Sequence, residues 1–131
     1  MGNRKILIID DEEDIREVAK LSLEIGQDWD VVAASSGSEG LALCKTLCSG
    51  TDEQPPDAIL LDVMMPDMDG PTTWHKLQED PLTAKIPVIF LTAKVQAAEQ
   101  RYYAQLGVNA VLTKPFDPVT LGDFIAKVLN W

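Results

Sequence analysis

Short apolar runs rich in β-branched residues recur along the chain at Lys5–Ile9, Asp30–Ala34, Ala58–Leu61, Pro87–Leu91 and Ala110–Leu112. Most lack apolar/polar alternation, which predicts strands buried on both faces, as in a parallel sheet. Longer segments with helical spacing lie between them. Ile15, Val18, Ser22 and Ile25 mark one apolar stripe, and Leu41, Cys44, Leu47 and Cys48 mark another. The last helix is the clearest, with Leu121, Phe124, Ile125, Val128 and Leu129 at i, i+3, i+4, i+7 and i+8. Helix starts are signalled at Ser36-Gly37-Ser38, Gly70-Pro71 and Asp117-Pro118. Segment 49–57 reads as a surface loop. Strands alternating with helices five times over predict a (βα)5 doubly wound α/β domain.

At 131 residues the chain fits one domain, 1–131, with room for a real core and no repeat or low-complexity stretch. Its formal charge of −10 gives it little reason to bind nucleic acid directly or to adhere to an anionic membrane. No apolar run approaches the roughly 18 residues of a membrane span, so no membrane insertion is expected. Met1-Gly2-Asn3-Arg4-Lys5 leads into an apolar run too short, and too soon broken by acids, for a signal peptide. The only cysteines, Cys44 and Cys48, suggest core packing rather than a disulfide scaffold, and the expected compartment is the cytoplasm.

Sites in open parallel sheets form beyond the carboxyl ends of the strands. Here the first strand runs into Asp10-Asp11, the third into Asp62, the fourth into Thr92-Ala93 and the fifth into Thr113-Lys114-Pro115. The flavodoxin-like order 2-1-3-4-5, expected from the fold class, brings these ends together. Three crowded carboxylates repel one another unless a proton or a cation relieves them. Oxygen donors suit a hard ion such as Mg²⁺. A cation, Lys114 and the Thr92 hydroxyl around one carboxylate are what a phosphoryl group needs: a carboxylate oxygen attacks phosphorus while positive groups neutralise its outer oxygens. Asp62 stands alone at its strand end and is the expected nucleophile. Asp10 and Asp11, adjacent, suit the ion.

Taken together, Asp10-Asp11, "LLDVMMPDMDG", "PVIFLTA" and "LTKPF" resemble the response-regulator receiver domain of two-component signalling over essentially the whole chain. The resemblance implies that Asp62 accepts phosphate from a histidine kinase or a histidine phosphotransfer protein. It implies that Asp11, Asp62 and the backbone carbonyl of Met64 contact Mg²⁺ (Mn²⁺ being the alternative), with Asp10 holding it through water. Thr92 and Lys114 then bind the phosphoryl group, and Lys114–Pro115 is a cis peptide. Pro66 and Gly70 shape the loop after the acceptor, and the new conformation meets an unidentified output protein. One position departs from the pattern: Val111 stands where such receivers commonly carry Tyr or Phe, and an aliphatic side chain cannot swing between exposed and buried states as that ring does. Met64 and Lys94 occupy the positions that tune access of the dephosphorylating water, from which slow loss of the phosphoryl group is expected.

Other features have plain readings. Asp67-Met68-Asp69-Gly70 fails as a calcium loop, because Met65 and Lys76 fall on its first and last ligand positions. His75 reads as a solvated surface histidine, and Glu12, Glu13 and Asp14 as acids favouring a helix N-terminus. A phosphohydrolase resembling the haloacid dehalogenase group needs an acid two residues after its nucleophile, where this chain has Met64. A nucleotide carrier needs a phosphate loop where this chain has Asp10-Asp11-Glu12-Glu13. Residues 1–131 are expected to hold the receiver alone, with no DNA-binding or catalytic motif among them. A stand-alone receiver, a phosphorelay shuttle, and a receiver cut from a longer regulator or hybrid kinase all remain open.

Overall fold

The computed structural model describes residues 4–50, 54–93 and 96–131. Its elements alternate as β1 (Lys5–Ile9), α1 (Glu13–Gln27), β2 (Asp30–Ala34), α2 (Gly37–Ser49), β3 (Ala58–Asp62), α3 (Gly70–Glu79), β4 (Val88–Thr92), α4 (Ala97–Leu106), β5 (Ala110–Thr113) and α5 (Leu121–Leu129). The strands form one parallel sheet in the order β2-β1-β3-β4-β5, the flavodoxin-like order expected.

The unbroken apolar strands feed two cores. Leu7, Ile9, Ile59, Leu61, Val88 and Phe90 point to one face, where Cys44, Leu77 and Tyr103 from α2, α3 and α4 cover them. Ile6, Ile8, Ala58, Leu60, Ile89 and Leu91 point to the other, against Ala19 and Leu23 of α1 and Leu121 and Ile125 of α5. Successive strand side chains alternate faces, so a strand buried on both sides shows no polar position at all. β2 and β5, at the sheet edges, are less completely buried.

Three local expectations need correction. On α1 the buried residues are Ala19 and Leu23, with Ile15 half-buried in the same core, whereas Val18 and Ile25 are exposed. Ile15, Ala19 and Leu23 follow the i, i+4, i+8 ridge, and the small Ala19 lets the helix settle on β1. Val18 and Ile25 line a groove shared with Pro118 and Val119 ahead of α5. The α5 helix begins at Leu121, later than Asp117-Pro118 implied. There the Asp117 carboxylate accepts the Val119 amide at 2.9 Å, closing a turn before the helix. Strands β3, β4 and β5 each run one residue further than expected, so Asp62, Thr92 and Thr113 belong to the ladder itself.

Two helix starts follow their sequence signals. Ser36 accepts the Glu39 amide at 3.1 Å, and Glu39 reaches back to the Ser35 amide and hydroxyl, a reciprocal cap. Asp69 caps α3 through the Thr72 amide at 2.9 Å, with Pro71 in its first turn. Gly70 closes the loop from β3: its amide donates to the Val63 carbonyl at 2.9 Å. A Cβ at Gly70 would lie 2.6 Å from the Asp62 carbonyl oxygen and 2.8 Å from Val63 Cα.

Candidate functional site

Parallel pairing sets the strand ends side by side. Asp62 pairs with Leu91 in the ladder, and Thr92 with Thr113. Asp10 follows β1, its amide bonded to the Ala34 carbonyl at 3.1 Å, and the Lys114 amide donates to the Thr92 carbonyl at 2.8 Å. The Lys114–Pro115 peptide is cis, as the motif implied.

The result, among the described residues, is one acidic rim around the Lys114 ammonium. Lys114 Nζ lies 2.8 Å from Glu12 Oε1, 2.9 Å from Asp10 Oδ2 and 3.3 Å from Asp62 Oδ1. Carboxylate oxygens of Asp10, Asp11, Glu12 and Asp62 all come within 4.8 Å of one another. Asp10 and Asp62 are buried, whereas Asp11 and Glu12 reach solvent. Asp10 is well satisfied: its Oδ1 accepts the Glu12 amide at 2.8 Å, and Arg16 Nη1 donates to its backbone carbonyl at 2.8 Å. Asp62 is not. Its Oδ1 takes the Met64 amide at 3.3 Å, but Oδ2 is buried without a hydrogen-bond partner.

Burial and charge crowding act together here. Burial first, then the neighbouring Asp10 carboxylate, push Asp62 up to about 7 against the pull of Lys114. Burial raises Asp10 as well, opposed by its bonds to the Glu12 amide and to Lys114. Burial works against the charge on Lys114, but its bonds to Glu12 and Asp10 and the surrounding negative charge outweigh it, so its affinity for the proton rises. Among the described residues, an orphaned buried carboxylate oxygen sits amid four acids, with Lys114 and the Arg16 guanidinium as the cations at hand, so negative charge is in excess. Hard oxygen donors at this spacing fit a metal ion.

The structure therefore brings Asp10, Asp11, Asp62 and Lys114 together, with Thr92 buried at the neighbouring strand end. Met64 is 72% exposed, beside Asp62 through its amide. Lys94 lies outside the described residues. Val111 stands opposite Phe90 in the ladder, half-buried, and Phe90 meets Tyr103 of α4 edge-on at 5.2 Å. Sequence reasoning gave Glu12 only a helix-end role, and did not single out Arg16. The available signal was position: an acid directly following a metal-suited pair also sits at the rim. Cys44 and Cys48 pack in the core on α2, and His75 is exposed, as expected. Among the described residues no helix is long and apolar enough to cross a membrane.

This geometry is that of a phosphoacceptor signalling module. The family model of the response regulator receiver domain matches residues 6–126, and the chain belongs to that family. It is 37% identical over 128 residues to the alkaline phosphatase synthesis transcriptional regulatory protein PhoP of Bacillus subtilis, a match covering 98% of this chain and 49% of that protein. It is 40% identical over 124 residues to the DNA-binding dual master transcriptional regulator RpaA of Synechocystis, covering 95% of this chain and 47% of that one. The chain thus spans about half the length of these relatives. The solved chemotaxis protein CheY4 of Vibrio cholerae superposes with a TM-score of 0.84 at 26% identity, over 97% of this chain and 99% of that one. The chain is a receiver domain of two-component response regulators, a signalling module rather than a classical enzyme.

Proposed function

We propose that Asp62 is the phosphoacceptor and that residues 1–131 work as a single receiver domain. The donor is a histidine kinase or a histidine phosphotransfer protein. Asp62 Oδ2 attacks phosphorus, the bond to the donor nitrogen breaks, and an acyl phosphate forms on the aspartate. Lys114 and the Thr92 hydroxyl bind the phosphoryl oxygens. Mg²⁺, with Mn²⁺ as the alternative, would be held by Asp11, Asp62 and the Met64 carbonyl, with Asp10 supporting it through water. Its chemistry there is to neutralise charge that develops on the phosphoryl oxygens. The acyl phosphate shifts a conformational equilibrium that an output protein recognises. We assign the module to the cytoplasm, the compartment that fits two unpaired cysteines.

The observation that carries this reading is the buried, unpartnered Oδ2 of Asp62, whose other carboxylate oxygen lies 3.3 Å from Lys114 Nζ. Attack on phosphorus needs a lone pair that no donor already holds, and Oδ2 accepts no hydrogen bond. The test is incubation with Mg²⁺ and a small acyl-phosphate donor, read by intact mass. Wild type gains one phosphoryl mass and Asp62→Asn gains none. Equal labelling of both proteins, or of neither, overturns the assignment.

A further inference from the structure

We propose that Glu12 is a positioning residue that withholds Lys114 from the phosphoryl group until that group displaces it. This rests on Asp62 being the acceptor. An ammonium has three donors. Lys114 donates to Glu12 at 2.8 Å and to Asp10 at 2.9 Å, its Nζ lies 3.3 Å from Asp62 Oδ1, and its side chain is only 8% exposed, so among the described residues three carboxylates surround it. An anion forming on Asp62 must therefore replace one of the three.

The three are not equally replaceable. Asp62 is the acceptor itself. Asp10 is fully buried and tied at its other oxygen by the Glu12 amide. Glu12 is the exposed partner, with 60% of its side chain in solvent, and its long chain can swing away at little cost. A second observation marks the contact as specific. Glu12 occupies the N-cap of α1, where a side chain ordinarily accepts a first-turn amide, yet it makes no such bond. Its carboxylate is directed to Lys114 instead, which clips the start of α1 to the segment after β5. When the phosphoryl oxygens take Lys114, Glu12 is released and the clip opens. The same side chain thus competes with the modification and reports it at α1.

The test uses fluoroberyllate, a phosphoryl mimic, titrated against the full chain in Mg²⁺ buffer and followed by fluorine NMR. Glu12→Gln tightens binding by about two- to fivefold, the range for an ion pair with one exposed partner. Glu12→Asp retains the charge but is one methylene shorter and loses the reach, so it tightens binding too. In a Lys114→Gln background the Glu12→Gln gain disappears. Three results overturn the proposal: Glu12→Gln binding no tighter than wild type, Glu12→Asp matching wild type, or the gain persisting without Lys114. The last two would mean simple charge repulsion. Should Lys114→Gln bind too weakly to titrate, Glu12→Asp decides. Absence of Asp62-dependent binding in wild type overturns the acceptor reading and this inference with it. Wild-type binding that no Glu12 variant alters overturns this inference alone.

Discussion

Asp62→Asn removes a charge that the metal-free fold holds at a cost, and the size of that cost follows from the site. The Asp62 carboxyl moves from its ordinary 3.8 to about 7 because it is buried beside Asp10. At about 1.4 kcal/mol per unit, the gap of roughly three units amounts to about 4 kcal/mol once the group is ionised in both states. No discount for solvent screening is needed, since Asp62 is only 2% exposed. The sign is set by proton binding. Between about pH 4 and 7 the folded protein holds a proton that the unfolded chain has lost, so wild-type stability falls as pH rises through that window. Asparagine cannot ionise and escapes this loss, the pull of Lys114 being already contained in where Asp62 titrates. Asp62→Asn should therefore be more stable than wild type by about 2–4 kcal/mol at pH 8 in chelator. At about 2.1 cal/mol/K per residue this is a melting point higher by about 7–14 °C. The advantage shrinks to about 1–2 kcal/mol at pH 5, where wild type is largely protonated at this site. Mg²⁺ at pH 8 stabilises wild type more than the variant and narrows the gap. Calorimetry at fixed ionic strength from pH 5 to 8 measures all of this. A variant no more stable at pH 8, or a gap of equal size at both ends, refutes the reasoning.

Lys114→Met leaves the acids without their cation. In chelator it should lose about 3 kcal/mol by denaturant titration, the scale for breaking a buried pair, and recover part of that on adding Mg²⁺. Gly70→Ala forces a Cβ onto backbone atoms of Asp62 and Val63 and should cost about 1–3 kcal/mol while slowing phosphoryl acceptance. Gly26→Ala, with open space around its Cβ near the end of α1, should gain about 0.5–1 kcal/mol in the same melts. Burial holds the Cys44 thiol up at about 12, so a thiol reagent applied to native protein should label half-buried Cys48 first, as peptide mapping would show. The phosphorylated protein should retain its label for minutes, and decay within seconds in an intact-mass time course would contradict the slow loss expected from Met64 and Lys94 at the positions that tune water access.

The legible parts of the fold were those where one physical signal dominated. Ile6-Leu7-Ile8-Ile9 and Ala58–Leu61 admit no polar position because both faces are covered, and their burial is complete. The α5 stripe was legible because its apolar residues are large. The α1 face was misread because Ala19, the residue on the sheet, contributes little to a hydrophobic pattern, while Val18 and Ile25 contribute much and face solvent. Polar strand ends located the rim because the β1, β3, β4 and β5 runs close on a carboxylate, hydroxyl or ammonium, and the strand order sets those ends side by side. What sequence could not reveal was which charges touch. Glu12 and Lys114 are 102 residues apart, and their 2.8 Å contact depends on a helix start and a loop after β5 meeting across the sheet end.

The three tryptophans are placed for a practical end. Trp131 meets Trp29 edge-on at 5.2 Å and lies under Arg4 at 4.1 Å, at the sheet end opposite the acids, while Trp74 sits on α3 near Gly107. These indoles meet Arg4, His75, Gly107 and one another, so intrinsic emission is poorly sited to register ion uptake at the rim. Met64, out in water yet one amide away from Asp62, is the natural seat for an installed optical probe.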